Sequence, residues 1–150
     1  MSAPLRRAIT LATIAHEGQV DKVGKPYIFH PLTVMMDESL TTDDERIVAA
    51  LHDVFEDTCM KVSTVMKYLD LPSSRATGVR KALLAITHLR NEPNVLYWAR
   101  VKATPIATKV KIADIHHNSS PARMRGLPVK DQARMRAKYA AALKALGDGQ

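Results

Sequence analysis

The stretch Ile47-Val48-Ala49-Ala50-Leu51 runs directly into His52-Asp53-Val54-Phe55-Glu56-Asp57-Thr58. No fold can bury the first part without drawing the second in after it. The apolar half reads as a core helix. The polar half brings one imidazole and three carboxylates to its end. Burying such groups without partners costs roughly several kcal/mol, so cations or hydrogen bonds must meet them. On a continuous helix, neighbours three or four apart share a face, which pairs His52 with Glu56 and Asp53 with Asp57. A divalent metal beside a general base accounts for this pattern. A solvated acidic helix end accounts for it equally on these residues alone.

The chain of 150 residues is 46% hydrophobic and 25% charged, proportions of an ordinary globular domain with a self-sufficient core. One domain over 1–150 is expected. Apolar runs are too short for a membrane span, and the opening residues lack the apolar stretch of a secretion signal. The lone cysteine, Cys59, has no partner for an internal disulfide and reads as a small buried or half-buried thiol. Together these point to the cytoplasm. A net charge of +7 and a pI near 9.7 favour polyanionic partners. Much of the excess lies in Arg123, Arg125, Lys130, Arg134, Arg136, Lys138 and Lys144, with no interleaved aromatics to stack bases. A small phosphorylated nucleotide therefore fits better than nucleic acid.

Apolar spacing predicts helices over 4–16, from about His30 through Met36, from Thr42 onward, over 62–69, 74–87, 95–102, 105–117 and 129–146. The third opens with Thr42-Asp43-Asp44-Glu45, which has the form of a capping box, and carries the chain through His52-Asp53. Gly18, Gly24 and Pro26 make 17–26 a loop, and 88–94 is polar and turn-like. Val79, Leu83, Leu84 and Ile86 are expected to face inward, and Met35, Met36, Tyr97 and Trp98 to pack. With no convincing strand pair, the fold class is all-α, a compact multi-helix domain.

Three separate stretches offer metal-type ligands that can converge. His30 stands at a loop-to-helix junction, His52-Asp53 on the third helix and Asp114 on the helix 105–117. Two imidazoles with two carboxylates suit a borderline divalent ion. Ala15-His16-Glu17-Gly18-Gln19 and Lys22-Val23-Gly24-Lys25-Pro26-Tyr27-Ile28-Phe29-His30-Pro31-Leu32 resemble the opening of the RelA/SpoT-type alarmone hydrolase domain. Leu51 to Thr58 looks like the central His-Asp and Glu-Asp motifs of that family. Lys111-Ile112-Ala113-Asp114 with His117-Asn118 looks like its last. The order and approximate separations agree from about residue 8 to 118, and no synthetase-like portion follows. The chain thus resembles a small, stand-alone alarmone hydrolase of the HD superfamily.

The resemblance implies metal ligands at His30, His52, Asp53 and Asp114, with manganese as the usual ion, and Glu56 and Asp57 working on the attacking water. It implies hydrolysis of guanosine tetra- or pentaphosphate (ppGpp, pppGpp) at the 3′-pyrophosphate, yielding pyrophosphate and GDP or GTP. Lys22, Asn118 and Tyr139 are the expected nucleotide contacts, with Tyr139 equally readable as a core residue. Two positions depart from the family pattern. Asp21-Lys22 stands where a basic pair commonly packs on the base, and Ile115 stands where an Arg commonly follows the aspartate. They leave open another phosphorylated nucleotide, such as NADPH, and a non-catalytic nucleotide- or nucleic-acid-binding module. If the alarmone is the substrate, Asp21→Arg is expected to improve its binding.

Overall fold

The computed structural model describes residues 1–148, and its elements are helices: α1 (Ala3–Ala15), α2 (Phe29–Met35), α3 (Asp43–Leu51), α4 (Val54–Asp57), α5 (Val62–Leu69), α6 (Ser73–Ile86), α7 (Asn94–Lys102), α8 (Pro105–Asn118), α9 (Pro121–Arg125) and α10 (Val129–Ala145). The fold is all-α, as expected. Proline and polar caps set the boundaries. Ser2 caps α1, and its hydroxyl accepts from Leu5 N at 3.3 Å. Pro105 and Pro121 sit in first turns, where a missing N–H costs nothing, and Pro72, Pro93 and Pro128 immediately precede α6, α7 and α10. Among the described residues, β pairing is limited to an isolated antiparallel bridge, Val20 with Pro26.

α3 is the axis of the molecule and packs against α1, α2, α6 and α8. Ile47, Val48, Ala49, Ala50 and Leu51 are all fully buried, so this helix has no solvent face over its last turns. The small Ala49 and Ala50 leave room for neighbouring helices, while each buried Ile, Val or Leu contributes about 1.5–3 kcal/mol. The N-terminus of α3 is closed by the anticipated capping box. Thr42 Oγ1 accepts from Glu45 N at 3.2 Å, and Glu45 Oε2 accepts from Thr41 N at 2.7 Å and Thr42 N at 3.0 Å. Glu45 Oε1 also receives Lys109 Nζ of α8 at 2.7 Å, which ties the two helices together.

Several expectations are corrected. α3 does not run through His52-Asp53 but stops at Leu51, and α4 begins at Val54. No glycine or proline causes the break. Instead His52 Nδ1–H donates to the carbonyl of Ala49 at 2.7 Å, so a side chain takes an acceptor from the last turn. Ser119-Ser120-Pro121 opens the short helix α9 rather than a bend alone. Met36 and Leu84 are exposed, because each lies one position past the buried stripe of its helix, and Cys59 is exposed in the turn after α4. Tyr97 is buried, and its hydroxyl donates to Ile86 O at 2.7 Å.

Lys109 and the loop N–H groups hold Glu45 down to about 2 although burial works against ionisation. A carboxyl depressed in the folded state stabilises above its unfolded pKa, near 4.5, and loses that contribution as pH falls toward about 2. Urea unfolding across pH 5 to 2 should therefore show a falling stability whose slope is smaller in Glu45→Gln. At neutral pH, Glu45→Ala should cost about 1–3 kcal/mol through the lost cap and unpaired N–H groups. An unchanged midpoint would show that the box does not hold α3.

Candidate metal centre and active site

α2, the α3–α4 break and α8 each deliver a ligand-type side chain to one buried point. His30 lies in the first turn of α2, where the 17–28 loop hands the chain to the helix. Asp114 comes from the middle of α8, and His52 and Asp53 occupy the two residues between α3 and α4. Because α3 ends at Leu51, these two are freed from helical register. On a continuous helix they would point about 100° apart. Here both reach the same place.

His30 Nε2 is 3.0 Å from Asp114 Oδ1 and 3.5 Å from Asp53 Oδ2. His52 Nε2 is 3.1 Å from Asp53 Oδ2 and 3.5 Å from Asp114 Oδ1. Two ligands about 2.1 Å from a shared ion at ordinary coordination angles lie about 3.0–3.4 Å apart, so this spacing fits one small cation. One atom each from His30, His52 and Asp114 falls within 4.8 Å of the others, and Asp53 closes the set from the side of Tyr27.

The protonation pattern tests the fit. A carbonyl can only accept, so His52 Nδ1 carries the proton given to Ala49 O, and a neutral His52 presents a bare lone pair at Nε2. That atom is buried without a hydrogen-bond partner and faces two carboxylate oxygens. A lone pair against two anions is tolerable only with positive charge between them. Burial disfavours a charged His52, yet Asp53 and Asp114 outweigh it and draw positive charge to this nitrogen. Both carboxyls are held below the usual range against the effect of burial, Asp53 chiefly by His52 and Asp114 by Lys111 and His52. With His52 neutral, two ionised carboxylates against one lysine leave a net negative site, which a divalent cation reverses.

A surrounding shell fixes the ligands, and much of it went unassigned in the sequence. Tyr27 OH donates to Asp53 Oδ2 at 2.6 Å, Lys111 Nζ to Asp114 Oδ2 at 2.8 Å and Asn118 Nδ2 to Asp114 Oδ1 at 2.7 Å. His30 Nδ1 shares a proton with His117 Nδ1 at 2.7 Å, and the two rings stack at 13°. Burial and the nearby charges of His30 and Arg123 hold His117 down to about 4, so it is a neutral support for the His30 ring. The i,i+3 spacing of Asp114 and His117 was the available signal. His16 is buried, with Nδ1 2.8 Å from Gln19 Oε1, and Gln19 Nε2 donates to Asp57 O at 3.3 Å.

Glu56 and Asp57 part company at α4. Glu56 Oε1 accepts from His88 N at 2.5 Å, which binds α4 to the loop after α6. Burial lifts the Glu56 carboxyl above its ordinary range, and it lifts Asp57 likewise, with the Asp53 charge adding to both. The 88–94 loop is braced from α7. Arg100 pairs with Glu92 and donates to Thr87 O at 2.9 Å and Ala85 O at 3.3 Å.

Two clefts flank the centre. The larger, about 950 Å³, reaches Glu56, His88, Lys111, Asp114, Lys102 and Lys138. The smaller, about 540 Å³, reaches His30 and His117 and is bordered by Lys22, Lys25, Phe29 and Arg123. Asn118 and the half-buried Tyr139 line both. Lys22 is exposed at the rim of the smaller cleft. Ile115 is buried in the core, so an arginine there would have to displace packing. His116 is exposed and lies 3.1 Å from Asp148. Asp21, read from sequence as a cleft charge of the wrong sign, has a local task. Its Oδ1 accepts from Val23 N and Lys25 N, both at 2.9 Å, and so holds the loop turn at Gly24, where φ is +81°.

No family model matches the chain. Over 56 residues it is 48% identical to the bifunctional (p)ppGpp synthase/hydrolase SpoT of Escherichia coli K12, and 46% identical to a guanosine-3′,5′-bis(diphosphate) 3′-pyrophosphohydrolase of Aquifex aeolicus. Over 50 residues it is 50% identical to the Haemophilus influenzae protein of the latter name. The two 56-residue matches take in 36% of this chain and 8% of each relative. The Haemophilus match takes in 32% and 7%. The chain thus spans under a tenth of the curated relatives it matches. Over those residues it is similar to proteins named as alarmone hydrolases. Among the described residues no helix is long and apolar enough to cross a membrane.

Titration calorimetry with Mn²⁺ tests the centre directly. Wild-type protein should bind one ion and His30→Ala none, while His117→Ala should bind about 10–100-fold more weakly through loss of the supporting ring. Wild-type affinity in His117→Ala would show that the stacked ring does not orient His30.

Proposed function

We propose that this chain is a metal-dependent 3′-pyrophosphohydrolase of guanosine tetra- and pentaphosphate, working in the cytoplasm with manganese held by His30, His52, Asp53 and Asp114. The observation that carries the reading is the buried, unpartnered His52 Nε2 aimed at two carboxylates, and the similarity of part of the chain to named alarmone hydrolases supports it. The mixed nitrogen and oxygen donors suit a borderline ion. Bound there, such an ion lowers the pKa of water and neutralises charge on phosphoryl oxygens.

The chain's own groups then divide the work. Glu56, its carboxylate made more basic by burial and anchored by the His88 N–H, accepts the proton of the attacking water from the side of the larger cleft. Asp57, the next residue of α4, holds that water in place. Water adds to the 3′-phosphoryl phosphorus, the bond to the ribose 3′-oxygen breaks, and that oxygen takes up the proton held by Glu56 and leaves as the 3′-hydroxyl while pyrophosphate is released. Lys102 and Lys138 face the larger cleft and supply point charges for phosphates. Asn118 spends an amide N–H on Asp114 and retains its carbonyl oxygen, an acceptor suited to a ribose hydroxyl rather than to phosphate. Tyr139 borders both clefts and Lys22 the smaller one, so a nucleotide lying across the centre meets both.

Incubation of purified protein with guanosine tetraphosphate and Mn²⁺ should release pyrophosphate, and chelator should stop it. Glu56→Gln should lower kcat by about 10²–10⁴ while binding Mn²⁺ as wild type does. Pyrophosphate release that persists in chelator, or a Glu56→Gln protein of full activity, would remove the metal or the base from the scheme. A panel including NADPH run alongside identifies the substrate if the alarmone is inert.

A further inference from the structure

Four of the contacts that steady the ligands are made by uncharged groups. Tyr27 OH serves Asp53, Asn118 Nδ2 serves Asp114, the Ala49 carbonyl serves His52 and the neutral His117 ring serves His30. Lys111 is the exception, with its Nζ donating to Asp114 Oδ2 at 2.8 Å. Burial works against a charged amine, but Asp114 outweighs it, so the group is an ammonium. An ammonium on a ligand carboxylate opposes the binding of a further cation to that carboxylate. A neutral donor, of the kind Asn118 supplies, would steady Asp114 without that cost. Orienting the ligand therefore does not account for a lysine at this position.

The two oxygens of Asp114 face different ways. Oδ1 lies 3.0 Å from His30 Nε2 and 3.5 Å from His52 Nε2, whereas Oδ2 is turned to Lys111. The ammonium thus stands outside the ligand cluster and against it. Nor is it sealed in. The Lys111 side chain keeps 19% of its surface exposed and lines the larger cleft together with Glu56 and Asp114. Its charge is felt by Glu56, where it opposes the rise caused by burial. An ammonium has three N–H donors. Asp114 takes one and the neighbouring Tyr97 oxygen can take another, which leaves one for the cleft. A phosphoryl group entering from that side meets a cation already fixed in place and largely stripped of water, where a charge acts more strongly than in solvent. The exposed Lys102 and Lys138 offer no such fixity.

We propose that Lys111 is a catalytic residue of this centre, donating its remaining N–H to a non-bridging oxygen of the scissile phosphoryl group and balancing the negative charge that gathers there as water adds. Its bond to Asp114 fixes the amine for that task and lowers the affinity of the cluster for its ion. The inference rests on the phosphohydrolase reading for the group that is transferred, and phosphate binding without turnover tests it separately.

The test sets Mn²⁺ affinity, by calorimetry, beside kcat and KM for guanosine tetraphosphate at saturating Mn²⁺, in wild type, Lys111→Met and Lys111→Gln. Lys111→Gln keeps a neutral donor for Asp114 and is the variant that decides if Lys111→Met does not fold. Both should bind Mn²⁺ as tightly as wild type or more tightly, because a competing cation is gone. Their kcat should nonetheless fall about 10²–10³, with KM little changed. A lysine that only supports its ligand gives the reverse, weaker Mn²⁺ binding with kcat recovered once the ion saturates. That result overturns the assignment, as does a kcat within about tenfold of wild type in Lys111→Met. If wild type releases no pyrophosphate, the phosphohydrolase reading falls first. Calorimetric binding of inorganic phosphate to the Mn²⁺-loaded proteins then decides, and wild type should bind it at least about tenfold more tightly than Lys111→Gln. Equal affinity, or no binding to either, overturns the assignment.

Discussion

Asp53 and Asp114 carry like charge and lie within 3.5 Å of the same two imidazole nitrogens, shielded from water by three helical elements. Such an arrangement repels itself unless something positive sits at its centre. Lys111 offsets one carboxylate. The remainder is uncompensated negative charge, and it is sustained by core packing. α3 is buried on every side over its last turns and cannot tilt to relax the strain, and α8 is tied to it through Lys109 and Glu45. The stability of the bundle is thus what holds an unfavourable charge distribution in place.

The two acids next to the centre show how one short helix sends neighbouring residues to different partners. Glu56 is joined to the 88–94 loop and opens on the larger cleft, while the backbone of Asp57 is joined to Gln19 on the other flank. The loop they touch is braced by Arg100 through Glu92, Thr87 and Ala85. That loop is therefore part of the wall beside Glu56.

The chain announces its helices through prolines, caps and apolar spacing, because those signals are local and act on the backbone directly. The break after Leu51 was illegible for the opposite reason. It is made by a side-chain hydrogen bond to a carbonyl, in a run without glycine or proline, where propensity favours continuation. Convergence of His30, His52, Asp53 and Asp114 could be anticipated from residue type and order, whereas His117, Tyr27 and Lys111 acquire roles only once α2 and α8 are set side by side. Sequence does not show that two N–H groups of its own turn claim one of the oxygens of Asp21. Arg123, on a five-residue helix too short to leave an apolar period, gave no warning of where it would point.

One contributor to the cluster has no side chain at all. The tautomer of His52, and with it the free electron pair at Nε2, is dictated by the peptide oxygen of Ala49. Any residue at 49 supplies that oxygen, so no point substitution deletes it and no alignment of letters marks it. Here an ingredient of the chemistry is written in backbone geometry, and replacing an amide linkage by an ester, whose carbonyl is a poorer acceptor, would be the way to reach it.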